Sequence, residues 1–136
     1  IGKRLTQGDI VCVTPLGVTA AGKMCYLNSE ELAKEVASQL KAAKLVYFTE
    51  GQRIVDTRRN HVVAAMQVKD AKAFIKYARG EGEARFQPNR YPLSAQVIRY
   101  VELLVSALAK GTRRGHLIDA ARGALLQELY TPDGSG

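Results

Sequence analysis

The stretch Asn28-Ser29-Glu30-Glu31-Leu32-Ala33-Lys34-Glu35-Val36-Ala37-Ser38-Gln39-Leu40-Lys41-Ala42-Ala43-Lys44-Leu45-Val46-Tyr47-Phe48-Thr49 carries both halves of an α/β unit with almost nothing between them. Asn28 or Ser29 can accept from a free first-turn amide, and Glu30 and Glu31 suit the positive end of a helix dipole. Leu32, Val36 and Leu40 recur at four-residue spacing, with Ala33, Ala37 and Lys41 beside them. That spacing predicts one buried stripe on an amphipathic helix that ends near Ala43. Lys44 leads directly into Leu45-Val46-Tyr47-Phe48-Thr49, an apolar run of the buried-strand type. A helix that feeds a strand through so short a joint favours an α/β fold with a largely parallel sheet.

Working outward, Asp9-Ile10-Val11-Cys12-Val13 reads as a short strand, entered through Gly8 and left through Thr14-Pro15. Residues 17–23 read as a hairpin or extended loop, and the polar residues 50–61 as a loop or hairpin. Val68 to Ala78 is expected to be a helix with Ala71, Phe74, Ile75 and Ala78 on one face. Residues 79–92 contain Gly80, Gly82, Pro88 and Pro92 and read as a mobile insertion. Ser94 can cap a third helix with the stripe Val97, Ile98, Val101, Leu104, Val105 and Leu108, which Gly111 stops. His116-Leu117-Ile118-Asp119 is strand-like, and residues 124–129 form a short helix before Pro132-Asp133-Gly134.

The 136 residues amount to one domain, since domains average roughly 100–150 residues. Apolar residues make up 46% and charged residues 24%, which argues against wholesale disorder. No apolar run approaches the roughly 20 residues of a membrane span. The chain begins at Ile1 rather than Met, so a removed targeting peptide would leave no trace, and cytoplasmic and mitochondrial settings are not distinguished. Twenty Lys and Arg against 13 Asp and Glu give +7. The densest basic groups are Arg58-Arg59 and Arg113-Arg114, but no aromatic-interleaved stripe of the kind that stacks bases accompanies them. Neither a nucleic-acid nor a membrane partner is expected. Cys12 and Cys25 lack CxxC spacing and fit a reducing compartment.

Gly17-x-x-x-x-Gly22-Lys23 falls short of a phosphate-cradling loop, because Met24 replaces the required Ser or Thr and no helix follows at once. His61 and His116 have no ligand-spaced partners, so no metal is expected. His116 opens an apolar strand, where a satisfied structural histidine is the default. No catalytic triad follows from the spacing. From Arg113 to Gly136 a strand, a turn, a short helix and a glycine-flanked loop are crowded together. Such crowding places a histidine near the Glu128 carboxylate and exposed loop carbonyls, an acceptor set suited to a guanidinium or ammonium group. The alternative is that Glu128 merely caps or pairs locally.

The closing stretch, HLID (116–119) followed by GALLQELYTPDGSG (123–136), resembles the closing signature of the amino-acid-kinase domain of N-acetylglutamate synthases, with a related version in acetylglutamate kinases. GDIVCVTPLGVTAAGK (8–23) and LNSEELAKEVASQLKAAKLVYFTE (27–50) are similar to that family's strand-hairpin and helix-strand segments, in order and spacing. The resemblance implies an open, mainly parallel αβα sandwich of the amino-acid-kinase (carbamate-kinase-like) type, of which residues 1–136 are the C-terminal part. An N-terminal lobe would precede Ile1, and an acetyltransferase domain, which takes acetyl-CoA as substrate, would follow Gly136. The segment itself would hold no cofactor and no catalytic residue.

Kinases of this family carry an Asn-x-Asn-Ala-Asp run, a Gly-Gly-Met-x-x-Lys segment and a TDV-G pattern. The matching positions here are Tyr26-Leu27-Asn28-Ser29-Glu30, Ser94-Ala95-Gln96-Val97-Ile98-Arg99 and Thr49-Glu50-Gly51. Phosphoryl transfer depends on positioned charge, so these departures favour a synthase over a kinase. In arginine-controlled members L-arginine lies beside the closing strand, helix and loop. The resemblance assigns it to His116, Glu128 and Gly134, with Lys44 as a neighbour. It implies a homo-oligomer whose arrangement responds to arginine. The alternatives are an acetylglutamate kinase using MgATP and a non-enzymatic basic binding module.

Overall fold

A computed structural model describes residues 1–82, 85–88 and 95–131, with the backbone alone considered at 87 and 88. The elements in chain order are α1 (Gly2–Thr6), β1 (Leu16–Val18), β2 (Met24–Tyr26), α2 (Ser29–Gln39), β3 (Lys44–Thr49), β4 (Ile54–Asp56), β5 (His61–Val62), α3 (Val68–Ala78), β6 (Phe86–Pro88), α4 (Ala95–Ala109), β7 (Arg114–Asp119) and α5 (Ala124–Tyr130).

The parallel pairing expected from the helix-strand joint is present: β3 lies parallel to β7, in a register that sets Lys44 opposite Arg114 and Val46 opposite His116. Side chains alternate across a strand. Leu45 and Tyr47 therefore face α2 and α4, packing with Ala37, Tyr100, Leu103, Leu104 and Ala107. Lys44 and His116 point to the other face, where Lys44 bonds the Glu128 carboxylate of α5 and His116 Nδ1 lies beside it. Helices thus cover both faces of the strand pair. Gly115 permits the close approach of α4: a Cβ there would lie 2.8 Å from Leu104 Cδ2.

Asn28 provides the N-cap, its side-chain oxygen accepting from the Glu31 amide at 2.9 Å. Helix α2 stops at Gln39, four residues before the expected end. Lys41 takes a left-handed φ of 49°, and the amides of Lys41 and Ala42 return to the carbonyls of Ser38 and Ala37. That is a Schellman closure made without glycine. The buried face also differs from the expected stripe. Ala37 is buried and Ala33 packs on the core, whereas Leu40 is exposed. Small residues let α2 sit close to its neighbours, and Leu40 is left outward while Leu32 stays half-buried. Tyr47 stacks on Tyr100 with centroids 4.7 Å apart, and its hydroxyl donates to the Glu30 carbonyl at 2.7 Å. Burial, with Glu30 and Glu31 nearby, pushes that phenol up to about 12.

Helix α4 is buried more widely than its predicted stripe, because it serves two cores. Tyr100, Leu103 and Ala107 face α2 and β3. Val97 and Val101 pack with Phe74 of α3 and Phe86 of β6. Residues 50–61 contain a hairpin arm: β4 pairs antiparallel with both β5 and β6. Within residues 79–92, Phe86–Pro88 is a strand and Phe86 is buried. Residues 83–84 and 89–94, including the expected cap Ser94, lie outside the described residues.

Residues 9–13 are not a strand. A strand needs a hydrogen-bonding neighbour, and none lies beside this run among the described residues; Ile10 is 94% exposed. The hairpin expected over 17–23 forms, with Leu16 opposite Tyr26 and Val18 opposite Met24. All four side chains are exposed on one face of the hairpin. Its turn runs into β2 rather than a helix, so the Gly17 to Lys23 segment does not cradle phosphate.

Candidate functional site

Three of the four residues assigned from the sequence meet. Lys44 is the first residue of β3, His116 the third of β7, and Glu128 lies on α5. The Glu128 carboxylate is 5% exposed and accepts through Oε1 from Lys44 Nζ at 3.0 Å, while His116 Nδ1 lies 2.7 Å from the same oxygen. Lys44 Nζ also donates to the Glu128 main-chain carbonyl. The fourth residue, Gly134, lies outside the described residues.

The parallel register brings Lys44 and His116 to one end of the strand pair, and α5 folds back across it. The turn between β7 and α5 depends on Gly123, whose φ of +83° is left-handed. Glu128 is in the second turn of α5, facing inward with Ala124 one helical turn earlier.

His116 turns Nδ1 to the Glu128 carboxylate, and its other ring nitrogen is Nε2. That Nε2 is buried and has no hydrogen-bond partner among the described residues. Burial holds the imidazole below its usual 6.5; Glu128 opposes this, while Lys44 and Arg114 reinforce it. The cluster therefore presents a carboxylate contacted by one cation, next to a buried ring nitrogen without a hydrogen-bond partner among the described residues. A ligand with several N–H donors would meet both needs.

No group of three or more His, Cys, Asp or Glu suited to a metal ion occurs among the described residues. No described helix is long and apolar enough to cross a membrane. The positions matched to the kinases lie elsewhere. Arg99, on α4, pairs with Glu30 and Glu31 at the start of α2, at 3.1 Å in each case. A cavity of about 490 Å3 adjoins neither place; it lies between the β4–β5 turn and α3. Of the Arg58-Arg59 basic pair, Arg59 lines this cavity.

The fold and this cluster define an α/β segment with a parallel strand pair and an acidic anchor under a helix. No family model matches the chain. Amino-acid acetyltransferases are its homologues over its full length. It is 34% identical over 137 residues to the amino-acid acetyltransferase of Enterobacter sp. (strain 638), and 36% identical over the same span to that of Vibrio atlanticus (strain LGP32). Each match covers all of this chain and 29% of the relative, so the chain spans under a third of the relatives' length. Among solved structures, it superposes on N-acetylglutamate synthase from Neisseria gonorrhoeae complexed with coenzyme A and N-acetyl-glutamate, with a TM-score of 0.79 and 29% identity. That match covers 99% of this chain and 28% of the synthase. The complex of the same synthase with coenzyme A and L-arginine gives a TM-score of 0.76 at 28% identity, covering 98% of this chain and 28% of the synthase.

Proposed function

We propose that this chain is the C-terminal part of an amino-acid-kinase-like αβα sandwich in an N-acetylglutamate synthase, and that it senses L-arginine for an acetyltransferase domain elsewhere in the parent protein. The observation that carries this reading is the meeting of Lys44, His116 and Glu128 on one carboxylate. The likeness to a synthase complexed with L-arginine supports it.

In this mechanism the arginine guanidinium takes the Glu128 carboxylate and donates to the unpartnered His116 Nε2. Lys44 gives up the carboxylate and turns its ammonium toward the effector's own carboxylate; Gly134, the fourth residue assigned by resemblance, lies outside the described residues. The chain does no chemistry. Acetyl-CoA is a substrate of the parent protein, and arginine biases a homo-oligomeric arrangement. The exposed apolar face of the β1–β2 hairpin and the unpaired residues 9–13 are accounted for by the remainder of the domain, which would supply their neighbours. A kinase reading is disfavoured by Arg99: the charge matched to the kinases' lysine is engaged by the chain's own Glu30 and Glu31.

Calorimetry tests the proposal. L-Arginine binds the chain, and Glu128→Gln abolishes the binding. MgATP binding without arginine binding would overturn the reading.

A further inference from the structure

The 490 Å3 cavity is separate from the Lys44–His116–Glu128 cluster and shares no residue with it. It is large enough for a small organic ligand, since such sites run from about 300 to 1,000 Å3. Charged groups from three elements line it: Asp56 and Arg59 from β4 and its turn, Lys69 and Asp70 from the first turn of α3, and Arg85 beside β6.

These charges do not simply cancel. Asp56 is buried and accepts from the amides of Arg58 and Arg59 at 2.9 and 3.3 Å, and from Arg85 Nε at 3.3 Å. Burial alone would raise Asp56, but those amides and the Arg85 guanidinium hold it below the usual carboxylate value. It is therefore ionised and offsets Arg85, whose guanidinium lies 4.8 Å over the Phe86 ring. Arg59 and Lys69 are exposed, and neither forms an ion pair among the described residues. Against them stands one further acid, Asp70. The cleft is thus lined by two cations without ion pairs among the described residues and by one further carboxylate acceptor. Two cations suit an oxyanion of one to two charges, and a carboxylate suits a hydroxyl donor on the same ligand.

We propose that this cleft binds a sugar phosphate, with the phosphate between Arg59 and Lys69 and a sugar hydroxyl donating to Asp70. Arg85, clamped by Asp56 and Phe86, forms the fixed wall. Val62 and Val63 supply apolar surface for the carbon skeleton. The proposal does not depend on the arginine reading.

Calorimetry on the chain at low salt would use ribose 5-phosphate, ribose and inorganic phosphate as probes. Ribose 5-phosphate is expected to bind at least tenfold more tightly than either of the others. Arg59→Ala and Lys69→Ala should each weaken it by about tenfold or more, corresponding to about 1.4 kcal/mol. Asp70→Asn should reduce the preference over inorganic phosphate, and Arg113→Ala should change nothing. Both cations are exposed, so far-UV circular dichroism should confirm that their variants fold. No binding of ribose 5-phosphate, or equal affinity in Arg59→Ala and Lys69→Ala, would overturn the proposal. Equal affinity for inorganic phosphate would do so too.

Discussion

Replacing Glu128 by Gln keeps the side chain's shape and removes its charge. In the native chain the carboxylate is 5% exposed and lies 3.0 Å from the Lys44 ammonium, itself 26% exposed. After substitution the ammonium keeps only neutral acceptors in this cluster, the Gln amide oxygen and the main-chain carbonyl of residue 128, and loses its counter-charge. Breaking a buried ion pair by removing one partner costs about 3–5 kcal/mol. Lys44 reaches some water, which lowers the expected cost to about 2–3 kcal/mol. With a urea m-value of about 1–3 kcal/mol per molar, the unfolding midpoint should fall by about 0.7–3 M.

Urea titration followed by far-UV circular dichroism measures this, and a double-mutant cycle identifies its cause. Lys44→Met in the Glu128→Gln background removes the stranded cation, so the double variant should recover much of the loss, with a coupling above about 1 kcal/mol. A Glu128→Gln cost below about 0.5 kcal/mol, or strictly additive single changes, would refute the view that α5 is tied to β3 by this pair.

Two further expectations concern the same strand pair. The folded-state pKa of His116 is lowered from 6.5, so below that pH the unfolded chain takes up a proton that the folded chain refuses. The associated stability is complete above about pH 6.5 and declines as the pH falls toward the folded value. Urea midpoints between pH 7 and pH 5 should show the decline and should flatten across that window in His116→Gln; an unchanged slope would contradict the assignment. Gly115→Ala places a Cβ 2.8 Å from Leu104 Cδ2, and should cost about 1–3 kcal/mol through overpacking, readable as a lower thermal midpoint. Leu104→Ala in the same chain should relieve part of that clash, and failure to do so would mean that the approach of α4 is not what Gly115 permits.

The α/β order was legible because its signals are local. Asn28 caps α2 as its residue type suggests, and a short joint leads into β3. Helix ends were legible only where glycine marked them. Gly80 and Gly111 carry the left-handed φ that closes α3 and α4, and both were recognised as breaks in the pattern. Lys41 plays the same part in α2 at φ 49°; a lysine there gives no signal, and the expected helix ran four residues too far. The misjudged stripe on α2 has a different origin. Hydrophobicity ranks Leu32, Val36 and Leu40 above alanine, but which face is buried is decided by how closely α4 approaches, a tertiary quantity. Residues 9–13 illustrate the same limit, for their apolar run specifies a strand while pairing requires a neighbour that the run cannot supply.

The cluster at Glu128 is harder to read, because its parts lie 84 residues apart along the chain. Spacing within the closing stretch was enough to suggest that a histidine and a carboxylate converge. It contained nothing about Lys44, whose inclusion rested on resemblance alone. The parallel register supplies the missing link: Lys44 is opposite Arg114 and Val46 opposite His116, so Lys44 and His116 share a face at one end of the pair. A shift of one residue would turn one of them to the opposite face, into the core made by α2 and α4. That register is held on the far side by Leu45, Tyr47 and the close seat of Gly115 on Leu104. The polar cluster therefore depends on apolar packing across the sheet. A defect introduced at Gly115 should weaken the arginine binding proposed at Glu128 without touching any residue assigned to contact the effector.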